Sequence, residues 1–187
     1  MKIFSLIFCF CLLSALFTSC EAGPDYTDEI EDTYRQANHG QIIGGLMWSA
    51  VSNGKLEWQD AVSYCRNLYE LGHSDWRLPT VDELRILIQN YPDTETDGPC
   101  GLTEECVEPW TSESDINSDS CDKKYCNRHQ YCHKKYSYSK LNDSVILWSS
   151  TSCGSTSAAL WIDFCTGDIV IAVKSYEQHV RCVRKPD

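Results

Sequence analysis

Cysteine is the reactive residue that this sequence concentrates. The 187-residue chain contains twelve cysteines. Cys9 and Cys11 lie in an apolar N-terminal run, and Cys20 follows at its end. The other nine are Cys65, Cys100, Cys106, Cys121, Cys126, Cys132, Cys153, Cys165 and Cys182. In an exported chain this density indicates a disulfide framework, and because nine is odd, one thiol is left over or pairs between molecules.

Two stretches contain side chains of the types that bind metals. Residues 115–119 have the D-x-N-x-D start of a calcium loop, but Ser120 replaces the required glycine and Cys126 the required glutamate, so a polar loop is the better interpretation. The zinc-ligand types are Cys121, Cys126, His129, Cys132 and His133. Their C-x4-C and C-x5-C spacings are not those of standard zinc sites, which favours disulfides. We expect no metal and no cofactor.

A basic stretch alternates with aromatic residues in the middle of the chain. The basic residues are Lys123, Lys124, Arg128, Lys134 and Lys135, and the aromatic ones are Tyr125, Tyr131, Tyr136 and Tyr138. This pattern suits sugars, sulfated glycans or a partner protein, although a charge run is more often a solvated face. The chain as a whole has a net charge of −11, which repels nucleic acid.

The N-terminus has the pattern of a secretory signal peptide, which we place at residues 1–20. Lys2 precedes an apolar run that is too short for a confident membrane span, and small residues follow it. Residues 17–20 resemble a loose bacterial lipobox, in which Cys20 would be lipidated, although Phe17 stands where Leu is usual. Ordinary cleavage after Ala22 is the alternative. A lipid would anchor the protein to a membrane without spanning it.

The rest of the chain divides into a linker and one domain. Residues 21–41 are acidic and have little apolar material to bury, which predicts a disordered linker. Residues 42–187 are the length of a single domain. Within it, residues 92–144 or thereabouts are polar, cysteine-rich and without helix or strand periodicity, so we interpret them as a long insertion held by disulfides.

The regular part of the domain begins with a turn and a short apolar strand at residues 44–48, and two helix patterns, the insertion and an antiparallel meander follow. Apolar residues between Trp58 and Tyr69 recur at helical spacing, and Gly72 follows them. β-branched and aromatic runs then predict strands at residues 145–150, 159–164, 169–173 and 179–184, with a tight turn at residues 165–168. The order predicts an α+β fold in which two helices pack on an antiparallel sheet.

The stretch DWRLPTVDEL, residues 75–84, predicts a rigid entry into the second helix. Thr80 and Glu83 have the spacing of a capping box, and Pro79 holds the preceding residue extended. Trp76 is expected to cap the core. Arg77 would be a buried ion-pair partner or a fork that ties loop carbonyls together. A structural role for this stretch is favoured over direct contact with a ligand.

Six separate pieces of the sequence resemble the Lcl C-terminal domain family, a family of bacterial exported domains of unknown function. The pieces are residues 45–48, residues 58–65, residues 75–84, residues 148–151, residues 161–167 and residues 180–184. The resemblance implies a C-type-lectin-like fold, in which the termini lie side by side and a cysteine of the first helix bridges to the last strand. It therefore implies a Cys65–Cys182 disulfide.

Two further disulfides are suggested by position in the sequence. Cys153 and Cys165 flank a predicted hairpin, and Cys100 and Cys106 are close in sequence. Connectivity cannot be deduced from sequence, so both pairings are expectations only.

The expected function is recognition of a glycan or a protein at the bacterial cell surface, without catalysis. Arg77, Pro79 and Glu83 lie in a motif similar to one in the formylglycine-generating enzymes, which share the lectin-like superfold, but the cysteine context of those enzymes is missing. Such an enzyme is one alternative, and a structural envelope lipoprotein without a small ligand is another. We expect an outer-membrane lipoprotein whose membrane contact is the lipid anchor alone.

Overall fold

The computed structural model describes residues 39–104, 126, 137–153 and 157–187. Within these ranges the chain forms a mixed α+β fold with two antiparallel three-stranded sheets and two short helices. The elements are β1 (Gln41–Ile43), β2 (Leu46–Val51), α1 (Trp58–Asn67), α2 (Val81–Arg85), β3 (Ile146–Ser152), β4 (Ala158–Asp163), β5 (Asp168–Val173) and β6 (Arg181–Arg184). The predicted α+β class is confirmed, but the single expected sheet is replaced by two.

The first sheet joins the two ends of the domain, in the order β1-β2-β6. Trp48 of β2 is the partner of Gln41 on one side and of Val183 on the other. Gly44 and Gly45 turn the chain between β1 and β2 with φ angles of 63° and 76°, a backbone conformation that glycine adopts without strain. β1 begins at Gln41, which was predicted to be the last residue of the linker. Gln41 pairs with Trp48 through the backbone, so the strand starts one residue before the apolar sequence does.

The second sheet is a meander of β3, β4 and β5. One face of β4 presents Leu160 and Ile162 to the main apolar core. The other face presents Ala159, which packs in a second core with Ala61 and Cys65 of α1. The three predicted strands therefore form as expected, within two residues at their ends, and each face is covered by a different part of the chain.

The Cys65–Cys182 disulfide is present, which confirms the pairing that the family resemblance implied. Cys100 bonds to Cys126 rather than to Cys106, so the prediction from sequence proximity was wrong. The backbone explains the true pairing, because the Cys126 carbonyl accepts a hydrogen bond from the Ile169 amide at 2.8 Å and is thereby fixed at the edge of β5.

The predicted Cys153–Cys165 pairing was also wrong. Cys165 is disulfide-bonded, but Cys153 is not its partner. Cys153 donates its amide to Ala158 at the start of β4, whereas Cys165 lies just past the end of β4. A six-residue strand separates them, roughly 20 Å at about 3.3 Å per residue, and a disulfide requires Cα atoms within about 7 Å.

The edges of the predicted insertion are part of the core. Cys100, Leu102, Cys126 and Leu141 are all buried, although none lies in a helix or a strand. Apolar periodicity did not reveal them, because irregular segments bury side chains without a fixed period. No helix in the described ranges is long and apolar enough to cross a membrane.

Candidate functional site: a cleft beside residues 75–80

The segment of residues 75–80 lies between the two sheets and is hydrogen-bonded to both. Arg77 and Val183 of β6 exchange two backbone hydrogen bonds, of 3.0 and 2.8 Å. The Pro79 carbonyl accepts from the Ser150 amide of β3 at 2.7 Å. The Val81 amide donates to Thr151 Oγ1 at 3.0 Å. The segment therefore connects the first sheet to the second, as a structural role predicts.

The capping box at the start of α2 is confirmed. The Glu83 amide donates to Thr80 Oγ1 at 3.3 Å, and the Thr80 amide donates to Glu83 Oε2 at 2.9 Å. The same carboxylate accepts two hydrogen bonds from Arg77, from Nη1 at 2.6 Å and from Nη2 at 2.5 Å. Arg77 is thus an ion-pair partner, but with 48% of its side chain exposed it is not the buried one that we considered.

This bidentate pair shifts the pKa of both groups. Burial raises the pKa of Glu83, but the hydrogen bonds from Arg77 and Thr80 and the positive charge of Arg77 outweigh that effect, so the net pKa is lowered. The hydrogen bond to Glu83 raises the pKa of Arg77. Both groups are therefore charged at neutral pH, and their rotamers are fixed by two parallel hydrogen bonds.

Trp76 anchors the other end of the segment. Its indole is buried in the second core, and Nε1 lies within hydrogen-bonding distance of the carbonyl oxygens of His73 at 3.2 Å and Glu70 at 3.4 Å. The expectation that this indole caps the core is confirmed. A buried anchor at one end and the capping box at the other leave the segment few alternative conformations.

A cleft of about 520 Å³ opens beside this rigid segment. Its lining consists of Val62, Arg66, Trp76, Arg77, Leu78, Thr80, Glu83, Glu104 and Ser150. The cleft thus lies between α1, the entry to α2 and β3. Its volume is within the range of small-ligand sites, and its walls combine apolar and charged side chains, as binding sites do.

Arg66 is the distinctive charge of this cleft. It lies in the last turn of α1 and is exposed. Arg77 is already paired with Glu83, whereas Arg66 makes no ion pair within the described part of the chain. A guanidinium with no internal ion-pair partner, beside a cleft, is well suited to bind a carboxylate, sulfate or phosphate.

Glu104 also lines the cleft, and a hydrogen bond holds its backbone near α2. Its amide donates to Asp82 Oδ2 in the first turn of α2 at 2.9 Å. The carboxylate of Glu104 also acts on Arg77, whose pKa it helps to raise.

The family model of the Lcl C-terminal domain matches residues 42–184. The chain belongs to the Lcl C-terminal domain family. A comparison with curated proteins found no match. Of the pieces that carried the resemblance, residues 75–84 form one wall of the cleft and residues 148–151 contribute Ser150. The α1 piece contributes Val62.

In this Lcl C-terminal domain, several predicted site residues fall outside the described ranges. They are Cys20, Cys106, Lys123, Lys124, Arg128, Lys134 and Lys135, together with the calcium-like stretch at residues 115–119. Among the described residues, no group of three or more His, Cys, Asp or Glu side chains could hold a metal ion.

Sequence reasoning missed Arg66 and Glu104. A signal for Arg66 was present, because Trp58, Val62 and Arg66 are four residues apart and therefore lie along one face of α1. Arg66 follows two apolar residues on that face, so the charge marks the point where the buried face of the helix reaches solvent. Nothing in the sequence marks Glu104, since its position depends on the irregular backbone before it.

Proposed function

We propose that this domain recognises a ligand at the cell surface without catalysing a reaction, and that the cleft beside residues 75–80 binds an anionic group of a glycan or of a protein. The observation that carries the proposal is Arg66. Arg66 lines a rigid cleft together with Arg77, Glu83 and Glu104, and within the described ranges Arg66 makes no ion pair, whereas Arg77 is paired with Glu83. Such a site favours binding, because the fold has already ordered its walls.

Within this proposal the fold is C-type-lectin-like. Two features support it: β2, near the start of the domain, pairs with the last strand β6, and Cys65 of α1 is bonded to Cys182 of that strand. The first feature brings the two ends of the domain together. The second fixes the first helix to the final strand, as the family resemblance implied.

We also propose export and attachment to the cell envelope by a lipid on Cys20. The lipobox-like residues 17–20 and the leader before them support export. The disulfides of the domain support an oxidising compartment. In this view the acidic residues between the anchor and the domain hold the cleft away from the membrane.

The rival function is an enzyme of the formylglycine-generating type. Such an enzyme would need a reactive cysteine pair at the cleft. None of the nine described residues that line the cleft is a cysteine, which favours recognition over this chemistry. Alkylation of the native protein with iodoacetamide, followed by peptide mapping, would favour the enzyme if it labelled a cysteine pair that an added ligand protects.

The proposal extends to the basic residues of the predicted insertion. These residues, Lys123, Lys124, Arg128, Lys134 and Lys135, lie outside the described ranges, and the sequence alone supports a basic recognition surface there on an otherwise acidic protein. Binding through such a surface weakens as salt rises, because salt screens charges that are exposed to water.

The test is a binding measurement on the mature full-length protein with its disulfides intact. An array of neutral and anionic glycans is screened with calcium and with chelator, at low and at high salt. Ligands are then measured against Arg66→Gln and the matched variant Lys55→Gln, which removes an exposed cation outside the cleft. Loss of one charge-assisted hydrogen bond predicts affinity about tenfold weaker for Arg66→Gln only.

The outcomes separate the candidate functions. Equal weakening in the two variants would indicate attraction by net charge alone and would contradict a site at the cleft. An absence of glycan binding in every condition would point to a protein partner or to a structural envelope role.

A further inference from the structure

Three aromatic rings contact one another in a row from the core to the surface: Trp148 and Trp161 are tilted by 52°, and Trp161 and Tyr176 are stacked. Trp148 and Trp161 have ring centroids 5.0 Å apart, and Trp161 and Tyr176 have centroids 6.0 Å apart with an interplanar angle of 27°. Trp148 is fully buried, whereas 56% of Tyr176 is exposed. The row of rings thus begins in the second core and ends at a tyrosine that is exposed to water.

The inner rings are fixed by the sheet. Trp148 of β3 and Trp161 of β4 are direct partners in the strand register, so their side chains lie on the same face. The Trp148 indole donates from Nε1 to the Leu56 carbonyl at 3.0 Å. The two tryptophan rings are therefore fixed in place, and Trp161 provides a rigid surface against which Tyr176 packs.

The outer ring is held by a tight turn after β5. The Tyr176 amide donates to the Val173 carbonyl at 3.0 Å, and the Lys174 carbonyl accepts from the Trp58 amide at the start of α1, also at 3.0 Å. Lys174 is committed to the fold, because its ammonium lies 4.2 Å from the Trp58 ring centroid and donates to Ser152 Oγ at 2.6 Å. Ser175 and Glu177, on either side of Tyr176, are exposed.

We propose that Tyr176 is a stacking subsite for the apolar face of a neutral hexopyranose. Trp161 packs against one side of the tyrosine ring in a stacked arrangement, and more than half of Tyr176 remains exposed for a ligand to contact. A pyranose presents several C–H groups on one face and hydroxyls around its rim, which matches an aromatic plane with polar neighbours. Because the ring is already held in place, binding loses little conformational entropy.

Charge distinguishes this subsite from the cleft. The neighbouring cation, Lys174, is occupied by Trp58 and Ser152 and is therefore poorly placed to bind an anionic group. The turn lies at the N-terminal end of α1, and Arg66 lies eight residues further along that helix, about 12 Å at 1.5 Å per residue. The inference rests on the proposed recognition function, but it does not depend on the anion site.

The test is saturation-transfer NMR on the mature full-length protein with methyl β-D-galactopyranoside and methyl β-D-glucopyranoside. Saturation should reach the ring protons on one face of the sugar, and Tyr176→Ala should weaken binding about tenfold. Tyr176→Phe keeps the ring and should keep the signal. Tyr69→Ala removes a tyrosine that is 74% exposed at the other end of α1, and it should also keep the signal.

A thermal unfolding curve for each variant shows that the domain remains folded. No transfer to either glycoside, or an undiminished signal in Tyr176→Ala, would overturn the subsite. Arg66→Gln should retain binding of the neutral glycosides, whereas its affinity for anionic ligands should be about tenfold weaker. If the protein binds the neutral glycosides but no anionic ligand, the cleft proposal fails and the Tyr176 subsite stands. If it binds anionic ligands but neither glycoside, the Tyr176 subsite fails and the cleft proposal stands.

Discussion

Arg181 and Asp143 form an ion pair in the interior of the domain. Arg181 Nη2 lies 2.6 Å from Asp143 Oδ1, and the two side chains are 1% and 2% exposed. Nε donates to the other carboxylate oxygen at 3.1 Å, and Nη1 donates to the Ser49 carbonyl of β2. The pair therefore connects β2 and β6 of the first sheet to the segment that leads into β3.

Removing one partner of this pair should strongly destabilise the domain. Arg181→Met leaves Asp143 buried without its counter-charge, a change that costs about 3–5 kcal/mol in comparable sites. Burial already raises the pKa of Asp143 against the opposing effect of Arg181, so its carboxyl should become protonated at higher pH in the variant. Urea denaturation measures the loss of stability.

The double variant Arg181→Met, Asp143→Leu should be more stable than Arg181→Met alone, since no charge is left buried. Asp75→Asn is the matched control: Asp75 is 61% exposed and its partner Arg184 also pairs with Asp187, so the loss of Asp75 should matter much less. Equal losses for Arg181→Met and Asp75→Asn would contradict this account.

The Arg77–Glu83 pair predicts part of the acid sensitivity of the domain. The pKa of Glu83 is lowered in the folded state, so its contribution is complete above the unfolded value of about 4.3 and is lost as pH falls through the lower folded value. Glu83→Gln should therefore be less stable than wild type at neutral pH, by about 0.5–1 kcal/mol because Arg77 is half exposed.

The measurement for this pair is urea denaturation at a series of pH values from about 7 to about 3. The difference between wild type and Glu83→Gln should shrink below about pH 4, and Arg77→Gln should show the same narrowing. A difference that stays constant over this range would mean that the ion pair contributes nothing to the acid response.

Regular elements were predictable from the sequence because their periodicity is local. The capping residues Thr80 and Glu83 were found by spacing alone, and the β3–β5 strands by composition. The Cys65–Cys182 pairing came from the family resemblance. The Cys100–Cys126 pairing was missed because it depends on where an irregular segment meets the edge of β5.

The candidate site was only half predictable. Residues 75–80 were recognised as a rigid entry to a helix, but the cleft beside them forms only when α1 and Glu104 are brought alongside. The stacked residues Trp161 and Tyr176 are separated in the sequence by β5 and by the turns on either side of it. No local pattern predicts such contacts, since they are set by strand register.

The two disulfides whose cysteines both lie in the described ranges should contribute unequally to stability. The cysteines of the Cys65–Cys182 bond are separated by 117 residues and those of Cys100–Cys126 by 26. The chain-entropy model gives about 5 kcal/mol for the longer loop and about 3.5 kcal/mol for the shorter one. Replacing each pair with alanine and comparing urea midpoints tests the order, and a larger loss for Cys100→Ala, Cys126→Ala would reverse it.

Gly167 is required for a tight turn that packs against an aromatic ring. Its φ angle is 80°, which is unfavourable for other residues, and a Cβ atom there would lie 2.6 Å from Cγ of Tyr91. Gly45 has a similar φ of 76°, but a Cβ atom there would meet no other atom within 4 Å. Gly45→Ala should therefore cost only the backbone strain, about 1–2 kcal/mol, whereas Gly167→Ala should cost more because Tyr91 must move. Thermal and urea unfolding of the two variants measure the free energy of unfolding that each one loses.

Equal losses of stability would show that the Tyr91 ring moves without cost, and that backbone conformation alone selects glycine in this turn.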